Sequence, residues 1–224
     1  MHPKVEKHPF FDKHLTYNKD SKVLILGSFP PKNTSQKGGF YYADSSNRFW
    51  LVLGTLFNEL NLAEKSIDEK KSFLLKNKIA LYDIWEYCYK ENPSSSKDKD
   101  IKPEPDSQKA DLTKLLKTAT KIQKVFTTIG NSTKSKTYNK NKKHPFLKWD
   151  IESWLGKWNL KVVPLHSTSS ISPYANNKAK QRGFPELFDD YKQIKIIAIE
   201  WHKRKKFKVQ DFWWEIDFGR RGLD

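Results

Sequence analysis

The chain has 224 residues, of which 37% are hydrophobic and 14% aromatic, so it is long enough to bury one sizeable core. Lys and Arg number 42 against 26 acidic residues, and the formal net charge is +16. This balance favours a polyanionic partner such as nucleic acid, although a Lys-rich composition also suits an ordinary solvated surface. The single cysteine, Cys88, excludes an internal disulfide and a cysteine-based metal cluster.

No apolar segment approaches the ~20 residues that span a bilayer, and the first residues lack the apolar core of a secretion signal. We therefore expect a cytoplasmic protein without a membrane segment. The apolar setting of Cys88 predicts a buried thiol.

Four short apolar runs predict strands, and a segment long enough for a crossover helix separates each from the next. They are Lys22–Leu26, Ile79–Ile84, Lys124–Ile129 and Leu160–Leu165. The pattern predicts a three-layer α/β/α sandwich with a parallel sheet of about four strands.

Apolar spacing and capping residues predict the helices between these strands. Helical stripes begin at Phe49 and at Phe188, a capping box begins at Ser66, and a short helix occupies Asp111–Ala119. The polar segment Asn92–Lys109 is predicted to be a loop. We divide the chain into a domain over residues 1–201 and a basic, aromatic extension over residues 202–224.

The segment from Lys22 to Trp50 carries the strongest functional signal. A buried strand runs into the loop Gly27–Pro31, and three aromatic residues then precede a helix start. Loops at the carboxyl ends of parallel strands are where open α/β sheets bind ligands. The pattern suits a pocket for a planar group beside a phosphate backbone.

Three segments in order resemble the uracil-DNA glycosylase superfamily, and most of all its hypoxanthine-DNA and mismatch-type branch. They are His8-Pro9-Phe10, the strand and loop Leu24–Pro30, and Tyr42–Trp50. The resemblance extends from about His8 to about Trp201. Asp44 and Ser45 depart from the His-Pro that this branch usually carries after the aromatic-Ala pair.

The resemblance implies a monofunctional DNA glycosylase that hydrolyses the N-glycosidic bond of uracil, hypoxanthine or xanthine in DNA, for base excision repair. It implies a monomer without metal or organic cofactor, and the aromatic tail is a candidate contact for a protein partner. The alternative is a catalytically degenerate glycosylase fold that binds DNA or protein. The departures at Asp44 and Ser45 favour that alternative.

The same resemblance implies roles for the first loop and its surroundings. Gly27, Ser28 and Phe29 are expected to line the base pocket, with Phe29 standing where uracil-specific relatives carry a water-activating Asp or Asn. Asn47 would then orient the water; the rival role for its side chain is hydrogen bonding at the helix start. Tyr42 would stack on the flipped base, unless it is only a packed aromatic.

Asp83 stands where uracil-specific relatives carry a base-reading Asn. An ionised carboxylate accepts hydrogen bonds but cannot donate them, which suits a base edge rich in N–H groups. The alternatives are a protonated Asp83 or one that only caps the following helix.

The segment that follows the fourth strand, residues 166–176, is a second landmark, after the first landmark from Lys22 to Trp50. His166 is expected to support the departing base, where negative charge develops, although many histidines are merely structural. Hydroxyls and amides in the next residues suit phosphate oxygens, and an apolar wedge would hold the base out of the duplex. The phosphate-binding residues would be Ser167, Thr168 and Ser169, and the wedge would include Ile171 and Tyr174, for which loop packing is the alternative.

Overall fold

The structure is a computed structural model that describes most of the chain up to residue 129 and shorter parts beyond it. The described residues are 5–11, 13–32, 39–44, 47–92, 94, 100–102, 107–129, 151, 153–165, 168 and 191–198. In chain order the elements are β1 (Glu6–Lys7), β2 (Val23–Gly27), α1 (Phe49–Phe57), α2 (Ile67–Lys76), β3 (Ile79–Asp83), β4 (Trp85–Lys90), β5 (Ile101–Lys102), β6 (Gln108–Lys109), α3 (Thr113–Thr118), β7 (Lys124–Thr127), a 3₁₀ turn (Gly156–Trp158) and β8 (Lys161–Pro164). Residues 191–198 are helical.

A four-stranded sheet in the order β3-β2-β7-β8 forms the centre of the fold, and each of its neighbouring strands is parallel. All five residues of β2 are buried, because this strand lies inside the sheet and is covered on both faces. Its register sets Gly27 opposite Asp83 at the carboxyl ends of β2 and β3. The four predicted strands and the predicted fold class are therefore confirmed.

Alternate side chains of β2 enter two separate cores, as the two-residue period of a strand requires. Val23 and Ile25 pack with α1, α2 and the helix at residues 191–198. Leu24 and Leu26 pack on the other face with α3 and with the segment that leads into β8. Helices therefore cover both faces of the sheet, which is the three-layer arrangement.

A second, antiparallel sheet was not predicted. β4 pairs with β1, β5 and β6. The prediction of a loop over Asn92–Lys109 is wrong at two places, because β5 lies within the segment and β6 lies at its carboxyl end. Strands of two residues, such as β1, β5 and β6, are too short to show an alternating apolar pattern. Only their backbone hydrogen bonds to a neighbouring strand define them. β4 also buries Cys88, as predicted.

Some sequence predictions fall on residues that the structure does not describe. The extension at residues 202–224 lies outside the described residues, and the domain boundary at residue 201 stays a prediction. Within the described ranges, no helix combines the length and the apolar character needed to cross a membrane.

The predicted capping box at the start of α2 is present. The Ser66 side chain accepts a hydrogen bond from the Glu69 backbone N–H, and the Glu69 carboxylate accepts one from the Ser66 backbone N–H. The Ser66 hydroxyl also donates to this carboxylate, and the hydrogen bonds from Ser66 lower the pKa of Glu69.

We expect Ser66→Ala to lower the free energy of unfolding by about 1 kcal/mol, because it removes the acceptor for a backbone N–H at the helix start. Urea unfolding followed by circular dichroism measures the change. Ser72→Ala is the matched control, since Ser72 is exposed within the same helix. Equal losses in both variants would contradict a capping role.

Candidate active site

The carboxyl ends of the parallel strands meet at one edge of the sheet, and backbone hydrogen bonds join the segments that leave them. Ile84 N–H donates to the Gly27 carbonyl at 3.0 Å, and Trp85 N–H donates to the Ser28 carbonyl at 3.3 Å. At the next strand, Thr128 N–H donates to the Leu26 carbonyl at 3.0 Å. The first loop is therefore held between the residues that follow β3 and β7.

Asp83 is buried at this edge, with 5% of its surface exposed. Its Oδ2 lies 2.8 Å from His8 Nε2, and the side chain of His8 is fully buried. His8 Nδ1 accepts a hydrogen bond from the Phe10 backbone N–H at 3.1 Å. Because Nδ1 is an acceptor, the ring proton of His8 lies on Nε2, and Nε2–H donates a hydrogen bond to Asp83 Oδ2.

Gly27 has no side chain where the other carboxylate oxygen of Asp83 lies. A Cβ on Gly27 would stand 2.2 Å from Asp83 Oδ1 and 2.8 Å from the hydroxyl of Tyr42. Both contacts are shorter than van der Waals distance, so these two polar atoms occupy the space above the glycine backbone. The structure thus brings together three of the sequence-predicted residues: Gly27, Tyr42 and Asp83.

Tyr42 is fixed at both ends of its side chain. Its ring stacks on Phe49, the first residue of α1, with centroids 4.0 Å apart and an interplanar angle of 18°. Its hydroxyl lies 2.8 Å from Thr128 Oγ1, and its backbone takes a left-handed φ of 53°. Tyr42 is partly buried, so a rigid aromatic ring borders the site.

Asn47 takes the helix-start geometry that the sequence left as its rival role. Its Oδ1 accepts a hydrogen bond from the Phe49 backbone N–H at 3.0 Å, and its own N–H donates to the Asp44 carbonyl at 2.8 Å. An amide oxygen has two lone pairs, so this bond leaves acceptor capacity for a water molecule. Orientation of water by Asn47 stays a prediction.

Phe29 points into the second core instead of presenting a polar group to the site. It is 7% exposed, and its ring meets the His8 ring edge-on at 5.3 Å. The amine of Lys90, itself buried, donates to the carbonyls of Phe29 and Pro30 at 3.3 and 3.5 Å. Ser28 is half-buried beside it. The base-binding roles of Ser28 and Phe29 stay predictions.

The second landmark reaches the first one at a single described residue. Arg48 N–H donates to the Thr168 carbonyl at 3.1 Å, so the residue after Asn47 touches the segment that follows β8. The other candidates in this landmark lie outside the described residues: His166, Ser167, Ser169, Ile171 and Tyr174. Contact of Thr168 with phosphate stays a prediction.

Two buried hydroxyls in the described part of the chain make no hydrogen bond: those of Tyr41 and Thr168. Burial, followed by the nearby charge of Asp83, raises the pKa of Tyr41, so its hydroxyl keeps its proton. Across the described ranges, His, Cys, Asp and Glu form no group of three that could hold a metal ion.

His8, Thr128 and Lys90 support the site, although sequence reasoning gave them no role. His8 was quoted only as part of a motif, and its partner Asp83 is 75 residues away along the chain. Two-residue strands such as β1 leave no sequence pattern that would reveal this contact. A buried lysine beneath the first loop likewise becomes evident only when β4 is paired.

The fold and this edge define an α/β protein with polar side chains gathered at the carboxyl ends of parallel strands. Residues 14–192 match the model of the Uracil DNA glycosylase superfamily, which is most of the chain. The chain therefore belongs to this superfamily, and the resemblance inferred from the sequence is confirmed.

Curated relatives and one solved structure agree with this assignment. Hypoxanthine DNA glycosylases of Methanosarcina acetivorans and Methanosarcina barkeri are each 31% identical, over 80 and 83 residues. These matches cover 36% and 37% of this chain, and span about half of each relative, 49% and 51%. A solution NMR structure from M. acetivorans, described as a candidate uracil DNA glycosylase, matches with a TM-score of 0.57 at 21% identity. That match covers 86% of this chain and 99% of the other, and it shows a shared fold.

We expect Gly27→Ala to lower the free energy of unfolding by about 1–3 kcal/mol, because the new methyl group would overlap Asp83 Oδ1 and the Tyr42 hydroxyl. Urea unfolding measures the loss. Gly156→Ala is the control, since no atom lies within 4 Å of a Cβ there. A Gly27→Ala variant as stable as the wild type would show that the carboxylate and the hydroxyl are free to move away.

Proposed function

We propose that this protein is a monofunctional DNA glycosylase that hydrolyses the N-glycosidic bond of a deaminated base, namely hypoxanthine, xanthine or uracil, in base excision repair. Membership of the superfamily and the two hypoxanthine DNA glycosylase relatives support the proposal. The observation that carries it is the convergence of Asp83 Oδ1 and the Tyr42 hydroxyl above Gly27. This arrangement suits an aromatic ring and an edge-reading acceptor that meet one flipped base.

Each residue then has a defined task. Tyr42, supported by Phe49, stacks on the extruded base, and Asp83 accepts hydrogen bonds from its edge. Asn47 orients the attacking water through its amide oxygen. His166 stabilises negative charge on the departing base, and the product is an abasic site.

Asp83 limits which base edges suit the site. A carboxylate that accepts the hydrogen bond from His8 Nε2–H offers only acceptor capacity to a ligand. Hypoxanthine, xanthine and uracil each carry a ring N–H group on that edge, so Asp83 suits all three. Both curated relatives are hypoxanthine DNA glycosylases, and we therefore propose hypoxanthine as the preferred substrate.

The proposal extends to partners and location. The net charge of +16 favours binding to the DNA backbone, and Ser167, Thr168 and Ser169 would contact phosphates while Ile171 and Tyr174 wedge the duplex. We expect a cytoplasmic monomer, with the aromatic tail as a candidate contact for a protein partner.

Two observations favour the second candidate, a glycosylase fold that binds DNA without cutting it. Asn47 already uses its amide oxygen at the start of α1, and a buried Phe29 occupies the place of the water-activating acid. Both features are compatible with a site that has lost water activation.

We expect purified protein to release base from short duplexes that contain hypoxanthine, xanthine or uracil, with hypoxanthine released fastest. Alkali cleavage of the resulting abasic strand on a denaturing gel is the measurement. The strand should stay intact without alkali, since a monofunctional enzyme leaves the backbone uncut. Absence of cleavage on all three duplexes by folded protein would reject the proposed enzyme.

We expect Asn47→Ala and Asn47→Ser to lose excision alike, by about 100-fold or more, because neither side chain places the water. Ser is a good helix cap, so Asn47→Ser keeps the hydrogen bond to Phe49 N–H that Asn47→Ala removes. Binding to a duplex with a stable abasic-site analogue should be nearly unchanged in both. Full activity of Asn47→Ser beside a defective Asn47→Ala would show that Asn47 serves only the hydrogen bond at the helix start and does not orient water.

A further inference from the structure

His8 and Asp83 form a buried polar contact beside the site. The two side chains are 0% and 7% exposed, and their 2.8 Å contact joins the amino-terminal segment to the end of β3. Nothing in the proposed reaction requires a histidine here. A buried pair of this kind is stable only when its protons and lone pairs are matched.

The imidazole of His8 is fixed in place by backbone and ring contacts. His8 N–H donates to the Glu86 carbonyl at 2.7 Å, directly after the pairing of β1 with β4. Its ring stacks on Phe11, with centroids 3.9 Å apart and an angle of 16°. Phe11 in turn stacks on Tyr82, the neighbour of Asp83, at 4.2 Å. The direction of the Nε2–H bond is therefore set by packing.

The proton on Nε2 determines what Asp83 presents to a ligand. Nδ1 is occupied as the acceptor of the Phe10 N–H, so the ring donates through Nε2 alone. Asp83 Oδ2 accepts the hydrogen bond from His8 Nε2–H. Its other oxygen, Oδ1, lies over the Gly27 backbone, where no Cβ occupies the space. A carboxylate in this state attracts an N–H group and repels a ring-nitrogen lone pair.

That distinction coincides with the chemistry of deamination. Adenine carries a lone pair on N1, and its deamination product hypoxanthine carries a hydrogen there. Cytosine and uracil differ in the same way at N3. An acceptor placed at this ring nitrogen therefore separates each deaminated base from its parent, although guanine and thymine, which already carry this hydrogen, must be rejected by other means.

We propose that His8 is a specificity-determining positioning residue, which holds Asp83 as a pure hydrogen-bond acceptor so that the pocket selects lactam bases over their amino parents. This inference rests on the proposed function for its substrate class. His8 acts through Asp83 and does not touch the base. Without the Nε2–H donor, Asp83 Oδ2 would lose the hydrogen bond that fixes the direction of its carboxylate.

Two substitutions of His8 separate this role from support of the local turn. His8→Gln places an amide N–H near the position of Nε2, so it retains a donor for Asp83 and loses the acceptor for Phe10 N–H. His8→Asn retains an acceptor near Nδ1 and loses the donor for Asp83. A turn-supporting histidine and a base-selecting histidine therefore give opposite results.

The measurement is the ratio of affinities for two duplexes that carry 2′-fluoro-deoxyinosine or 2′-fluoro-deoxyadenosine, because the fluorine slows bond cleavage and isolates binding. The wild type should prefer the hypoxanthine duplex. His8→Gln should keep most of this preference, and His8→Asn should reduce it by about 10-fold or more, the cost of a charge-assisted hydrogen bond. Affinity for an abasic-site analogue should stay within about twofold in both, as a control for DNA binding.

Asp83→Asn completes the test without altering His8. Its amide oxygen would accept the hydrogen bond from His8 Nε2–H, and its amide N–H would face the base. The preference for hypoxanthine should therefore disappear. His8→Asn should then have no further effect on the ratio in that background. If His8→Asn does not fold, His8→Gln keeps the test decisive, because loss of the preference for hypoxanthine in that variant would overturn the role of His8.

The outcomes are distinguishable from those of the excision assay. An unchanged ratio in His8→Asn, or a larger loss in His8→Gln than in His8→Asn, would overturn the role of His8 even if the wild type excises hypoxanthine. An absence of excision by the wild type would overturn the proposed enzyme, while the affinity ratio would still decide whether the pair selects lactam bases.

Discussion

The close approach of the Asp83 carboxylate to the Gly27 backbone is the constraint on which the site depends. β2 and β3 are adjacent and parallel, so their last residues lie side by side, and only a residue without a Cβ leaves room for the carboxylate. Asp83 is buried there because His8 supplies its hydrogen bond. Removal of one partner from such a buried pair costs about 3–5 kcal/mol, because the other polar group is left buried without its partner.

The antiparallel ribbon around β4 adds polar contacts at the edge of the sheet where β2 and β3 end. It follows β3 directly, pairs with β1 and thereby brings His8 to Asp83. It also places Lys90 beneath the first loop, where its amine holds two carbonyls of that loop. The parallel sheet places the end of β2, and this ribbon supplies polar contacts to the loop that follows it.

The proposed chemistry divides between rigid and local features. Tyr42 and Asp83 are fixed by side-chain contacts with Thr128 and His8, which suits recognition of a planar base by shape and by hydrogen bonding. Asn47 belongs to a helix start, and its amide oxygen serves the backbone of α1. The binding half of the site is therefore more completely built by the described residues than the hydrolytic half.

The sequence by itself determined the parallel sheet, the helices and the first loop. Continuous apolar runs such as Val23–Gly27 and the capping box at Ser66 are local signals, and local signals survive without knowledge of the fold. It also placed Gly27, Tyr42 and Asp83 among the site residues. The tertiary structure alone decided that His8 meets Asp83, that Thr128 holds Tyr42 and that Phe29 turns into the core. These contacts join residues distant in the chain, and strands of two residues or single hydrogen bonds have no periodicity from which they could be inferred.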